Sequence, residues 1–187
     1  MGFELRSTNI LEVKLLIPTR YNDDRGYFLE TFKQSEFEKF GIMKKFNQDN
    51  QSFSLKGTLR GMHFQNPPFA QTKLVRCVQG KIVDIAVDIR KNSPTFGKYV
   101  KAELSSENMN MLWIPEGFAH GFIALEHSMV LYKATSEYNR DSESGLIWND
   151  HRVGIDWPRI NISLSEKDKK WPGIDNVMSD FEYGVNS

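Results

Sequence analysis

The chain has 187 residues, of which 40% are hydrophobic and 26% charged, the proportions of an ordinary globular protein. Its 24 basic side chains balance 24 acidic ones, which argues against a nonspecific nucleic-acid binder, and the composition excludes a collagen-like fibre and a disordered tail. One cysteine excludes an internal disulfide framework and any multi-cysteine zinc or iron–sulfur site.

The opening residues, Met1-Gly2-Phe3-Glu4-Leu5-Arg6, show neither a charged region leading into an apolar core nor a lipidation signal, so the expected address is the cytoplasm. No apolar run reaches the length of a membrane span, and no membrane partner is expected. In chain order, strands are predicted over 12–17, 26–31, 57–65, 73–79, 81–89, 99–104, 110–114 and 129–135. In 81–89 the alternation puts Val83, Ile85, Val87 and Ile89 on one face and Asp84 and Asp88 on the other. In 129–135 it groups Val130, Tyr132 and Ala134. Cys77 falls within the apolar alternation of 74–78 and is expected to be a buried small hydrophobe.

Turn signals separate these runs: Asn22-Asp23-Asp24-Arg25-Gly26, Asn66-Pro67-Pro68, Gln79-Gly80, Asn92-Ser93-Pro94 and Pro115-Glu116-Gly117. One helix is predicted near Ser35, with Glu38 at capping-box spacing and Gly41 as its stop, and a second helical turn near Ser165. Without linker, repeat or charge block, residues 1–187 read as a single domain. Its expected architecture is a mostly-β barrel of jelly-roll type with a few short helices.

No glycine-rich phosphate loop and no GxSxG nucleophile elbow is present, so a nucleotide here must be held by side chains. Arginine suits that task through its planar fork, and Arg25 in a turn and Arg60 in a polar-rich strand are candidates, with solvated surface arginines as the plainer alternative. Of the histidines, His63 shares a strand face with Gln65, and His120 completes a Pro115-x-Gly117-x-x-His120 pattern like the second motif of cupin barrels. The first motif of a metal-binding cupin offers two histidines, but this chain has His63-Phe64-Gln65. A metal would then rest on His63, His120 and a weak amide, a poor set for zinc or iron, so no metal is expected. Without metal, the two imidazoles suit proton transfer.

Several blocks together are similar to one family. Asp24-Arg25-Gly26-Tyr27-Phe28-Leu29-Glu30, Gln48-Asp49-Asn50-Gln51-Ser52 and Leu59 through Gln65 resemble the dTDP-4-dehydrorhamnose 3,5-epimerases. So do Gln71 through Val75, Ile114 through Phe122, Tyr132-Lys133, Glu143 through Asp150 and Leu164 through Asp168. The blocks keep family order from about residue 24 to 170. The resemblance implies a cupin-type homodimer that needs no cofactor and inverts C3 and C5 of dTDP-4-dehydro-6-deoxy-glucose. It further implies His63 as general base with Asp168 as its carboxylate partner, Tyr132 as the acid on the opposite face, and Lys73 at the C4 oxygen. Arg25, Glu30, Gln48, Asn50, Arg60, His120, Glu143 and Lys167 would contact the nucleotide sugar.

Without the resemblance, the favoured readings are Tyr132 as a core tyrosine, Asp168 as the acid of a capping box and Lys73 as a strand-edge lysine. Met62 and the loop Asn66-Pro67-Pro68-Phe69 depart from the family pattern, but no catalytic position does. The alternatives are an epimerase acting on one centre, a ketoisomerase on a related sugar, a non-catalytic sugar-binding cupin and a metal-dependent cupin oxygenase. Gln65 argues against the last.

Overall fold

The computed structural model describes residues 2–184. In chain order its strands are β1 (Phe3–Ser7), β2 (Lys14–Pro18), β3 (Tyr21–Asp23), β4 (Gly26–Phe28), β5 (Gln48–Ser54), β6 (Leu59–Gln65) and β7 (Lys73–Gln79). They continue with β8 (Lys81–Asp88), β9 (Tyr99–Ser105), β10 (Met111–Ile114), β11 (Phe118–Ala124), β12 (Ser128–Ala134) and β13 (Glu143–Gly145). One short helix, α1 (Gln34–Glu38), lies between β4 and β5.

The strands form two large antiparallel sheets in a jelly roll, with orders β1-β2-β10-β7-β12-β5 and β13-β6-β11-β8-β9, and β3 and β4 form a separate hairpin. Period-2 alternation explains why the sheets face one another. The inward residues of β7 (Val75, Cys77), β8 (Ile82, Ala86), β10 (Leu112, Ile114), β11 (Phe118, Phe122, Ala124) and β12 (Val130) make one buried cluster. Cys77 lies in it, and burial pushes its thiol up to about 11, so it packs as a hydrophobe, as expected. The outer face of β8, with Val83, Ile85 and Val87, and Ile89 just past its end are covered by the C-terminal segment through Val153, Ile174 and Phe181. The outer face of the other sheet, with Leu16, Leu74, Met111 and Trp113, packs on Phe37 of α1. The strand 81–89 is therefore buried on both sides, and its aspartate face looks into the barrel.

Three expectations change. The strand predicted over 26–31 ends at Phe28. The helix does not begin with a capping box: Lys33 is its N-cap with no side-chain cap bond, because Ser35 already lies inside the helix. Gly41, at φ 76°, does close the segment. The strands β1, β3, β5, β11 and β13 were not predicted, β3 falling partly in the expected turn at 22–26. β5 is largely polar in sequence, and β11 is buried on both faces, so neither shows the apolar–polar alternation of a half-buried strand. Near Ser165 the turn forms as a short 3-10 segment, Asp168–Lys170, with the Asp168 amide donating to Ser165 Oγ at 3.1 Å.

One close approach shapes the interior. A Cβ on Gly61 would sit 2.5 Å from Gly121 Cα, and Gly61 has φ +139°. Only glycine lets β6 and β11 meet this closely, and in their register His63 stands opposite His120. Among the described residues no helix is long and apolar enough to cross a membrane.

Candidate active site

Polar residues interrupt the apolar inward faces at one end of the barrel. Asp84 stands between Ile82 and Ala86, His120 between Phe118 and Phe122, and Tyr132 between Val130 and Ala134. Lys73 precedes Val75 and Cys77 on the same face of β7. Together with Arg60, His63, Lys167 and Asp168, Lys73, His120 and Tyr132 line a cavity of about 510 Å³ between the sheets. That volume suits a small ligand rather than a macromolecule.

The two walls differ in chemistry. On the five-stranded wall, His63 Nε2 lies 2.6 Å from Asp168 Oδ1, and Asp168 Oδ2 accepts from the Gly61 amide at 3.4 Å. A carboxylate only accepts, so Nε2 donates and Nδ1 remains as the basic nitrogen. Burial works to raise the Asp168 carboxyl, but the bonds from His63, Gly61 and Ser165 outweigh it and hold it below the usual carboxylate range. Trp171 packs edge-on to the His63 ring, with centroids 6.3 Å apart, and lies so close to Gly145 that a Cβ there would come within 2.5 Å of the indole. On the same wall, His120 Nε2 meets Asp84 Oδ1 at 2.7 Å, one diagonal step across β11 and β8. Burial lowers the His120 pKa, with Asp84 opposing.

On the six-stranded wall, Tyr132 and Lys73 are diagonal neighbours, since Tyr132 stands opposite Val75 and Lys73 opposite Ala134. Burial raises the Tyr132 phenol, which keeps its proton. Burial also lowers Lys73 to about 8, against the pull of Asp84 and Glu143. Tyr132 and Lys73 thus face the two histidine–aspartate pairs across the cavity.

Glu143 joins the rim through Lys167 at 2.5 Å and Tyr138 Oη at 2.8 Å. Burial acts to raise the Glu143 carboxyl, but these two bonds prevail and hold it low. Gln48 donates to Asn50 Oδ1 at 2.7 Å and accepts from the Tyr138 amide at 2.8 Å, and Asn50 and Tyr132 share a shallow neighbouring recess. Arg60 is anchored to Ser54 Oγ at 3.0 Å.

Of the expected residues, Gln48, Asn50 and Glu143 stand beside this cavity without lining it, and Arg25 and Glu30 are further removed. Arg25 sits in the β3–β4 turn with its side chain 89% exposed and paired to Asp23, and Glu30 follows the hairpin near Lys33. The hairpin is a sheet of its own, and Tyr21, Tyr27 and Phe28 in it are exposed. The Gln65 amide, considered as a metal ligand, instead donates to the Phe69 and Glu137 carbonyls and accepts from the Asn139 amide. Among the described residues no group of three or more His, Cys, Asp or Glu is placed to hold a metal ion.

Sequence reasoning missed Asp84, Tyr138 and Trp171. Asp84 had a signal, a carboxylate on the inward face of an apolar strand. Tyr138 and Trp171 lie outside periodic segments and had none.

The family profile described as dTDP-4-dehydrorhamnose 3,5-epimerase matches residues 7–176. The chain is 48% identical over 181 residues to the dTDP-4-dehydrorhamnose 3,5-epimerase of Sinorhizobium fredii, covering 95% of this chain and 93% of that one. A dTDP-6-deoxy-D-glucose-3,5-epimerase from Legionella pneumophila, solved with dTDP-4-keto-L-rhamnose, superposes with TM-score 0.91 at 42% identity, covering 94% of each chain. The 3'-monoepimerase of Streptomyces bikiniensis, solved with dTDP-quinovose, gives 0.86 at 28% identity over 91% of this chain and 87% of that one. These matches make the jelly roll a cupin-type epimerase fold.

Proposed function

Since the chain belongs to the dTDP-4-dehydrorhamnose 3,5-epimerase family, we propose that it inverts C3 and C5 of dTDP-4-dehydro-6-deoxy-D-glucose to give dTDP-4-dehydro-L-rhamnose. The observation that carries this reading is the placement of a base and an acid on opposite walls of one cavity. His63 stands on one sheet, and Tyr132 and Lys73 on the other.

A carbon beside a ketone loses its proton readily only when the resulting enolate is stabilised. His63 Nδ1 takes the C–H proton, and the bonding pair moves toward C4 and its oxygen. Asp168 holds the imidazole and stabilises the imidazolium that forms. Lys73 is predominantly an ammonium at neutral pH and meets the developing oxyanion. Tyr132 delivers a proton from the other face, which inverts the centre and restores the ketone. Once the imidazolium has given its proton to solvent and the Tyr132 phenolate has regained one, the sequence repeats at the second carbon. Arg60 and Lys167 supply cations for the diphosphate, while Gln48, Asn50, His120 and Glu143 bind the rest of the nucleotide sugar.

Arg25 and Glu30 fit this reading in a homodimer, where the exposed hairpin of one subunit reaches the site of the other. Its uncovered Tyr21, Tyr27 and Phe28 supply apolar surface for such a contact.

Incubation of the protein with dTDP-4-dehydro-6-deoxy-glucose in heavy water tests the proposal. Deuterium at both C3 and C5 is expected. Label at C3 alone would make the protein a single-centre epimerase, and no label would remove the catalytic reading.

A further inference from the structure

Asp84, buried behind His120, has no part in the chemistry described above. It is fully buried, its Oδ1 accepts from His120 Nε2, and its Oδ2 is buried and takes no hydrogen bond among the described residues. A half-satisfied buried carboxylate is costly unless a cation faces it. The buried cation on the facing sheet is Lys73, which lines the cavity and donates no hydrogen bond among the described residues; no direct ion pair joins it to Asp84, which acts on it through space as the largest of the charges around it.

We propose that Asp84 is a positioning residue that ties His120 and Lys73 into one unit across the two walls of the cavity. Through Oδ1 it holds the proton of His120 on Nε2, leaving Nδ1 as an acceptor for a hydroxyl of the bound sugar. Through its remaining charge it keeps the Lys73 ammonium in a site whose burial favours the neutral amine. Epimerisation then depends on a residue that does not touch the reacting carbons. The proposal deepens the reading of Lys73 as the counter-ion of the enolate and rests on it.

The other groups around Lys73 are Glu143 of β13, His63 of β6, His120 of β11, Tyr132 of β12, Arg60 of β6, and Asp168 and Lys167 of the C-terminal segment. Of these, Glu143 is the other negative charge acting on Lys73, and its bonds to Lys167 and Tyr138 leave it engaged elsewhere.

Two measurements on the full-length protein test this. Nitrogen-15 NMR of the histidine rings, assigned with His120→Asn, is expected to show the His120 proton on Nε2 and a bare Nδ1; a proton on Nδ1 instead overturns the proposal without any Asp84 variant. The pH profile of kcat/KM is expected to fall on its alkaline side near pH 8 as Lys73 loses its proton. In Asp84→Asn that limb should move down by about one unit, a roughly tenfold loss of rate above it. An unmoved limb with unchanged rate overturns the Lys73 half of the proposal. Full activity in Lys73→Gln would refute the counter-ion reading itself, while the His120 tautomer still reports on Asp84.

Discussion

Two histidine–aspartate pairs with nearly the same bond length border the cavity, and the proposed mechanism gives them different work because they are solvated differently. His63 and Asp168 meet at 2.6 Å with side chains 31% and 6% exposed; His120 and Asp84 meet at 2.7 Å at 9% and 0%. In the first pair the ring opens onto the cavity and its aspartate is fed by the Gly61 amide, so an imidazolium formed during reaction has a stabilised counter-ion. In the second, burial depresses the imidazole and keeps it neutral. A histidine–aspartate hydrogen bond therefore does not by itself identify a base. Access and the other charges in reach decide whether the proton moves.

The largest effect expected from this contrast is on His63→Ala, which should abolish deuterium incorporation at both carbons, a loss on the order of 100- to 10,000-fold or more. His120→Ala should retain measurable exchange and act mainly on KM. Equal loss of exchange in both variants would break the distinction. Next in size is Tyr132→Phe, which removes the proposed acid on the opposite wall. Exchange of solvent label into recovered substrate should survive while inverted product falls roughly 100-fold; loss of both together would mean that Tyr132 serves the first proton removal as well.

A smaller effect, of opposite sign, is expected on stability. The folded pKa of Lys73, about 8, lies below that of a free lysine. Between the two values the unfolded chain holds the extra proton, so this group makes stability rise with pH through that window. At pH 7 the buried ammonium costs stability, but Lys73→Met alone would leave Asp84 without its cation, so the gain of roughly 1–3 kcal/mol is expected in the double variant Lys73→Met/Asp84→Asn, with activity removed. Thermal unfolding followed by circular dichroism checks this, with an increase of roughly 2–10 °C expected. The smallest expected change is Tyr138→Phe. It deletes one exposed bond to Glu143 and should weaken substrate binding by about 1 kcal/mol or less, measurable by calorimetric titration.

Much of this was legible in the residues. Alternation in 81–89 and 129–135 marked the faces, the turn residues marked the ends, and the resemblance carried by the blocks around His63, His120, Tyr132 and Asp168 named the reaction. These signals are local or lie in ordered motifs, so one chain read in order displays them. β5 and β11 escaped because a polar strand and a strand buried on both faces lack the periodic signature.

What only the tertiary structure decided is which residues meet. His63 and Asp168 are 105 positions apart, and His120 and Asp84 are 36 apart; the first pair exists because the Asp168–Lys170 segment packs on β6, the second because β8 and β11 are neighbours in one sheet. The same folding that gathers Lys73, His63, His120, Tyr132 and Asp168 leaves Arg25 outside on an exposed hairpin. Residue type is written in the chain, whereas desolvation, which sets the Lys73 ammonium near neutrality and keeps the His120 ring uncharged, is a property of the closed barrel alone.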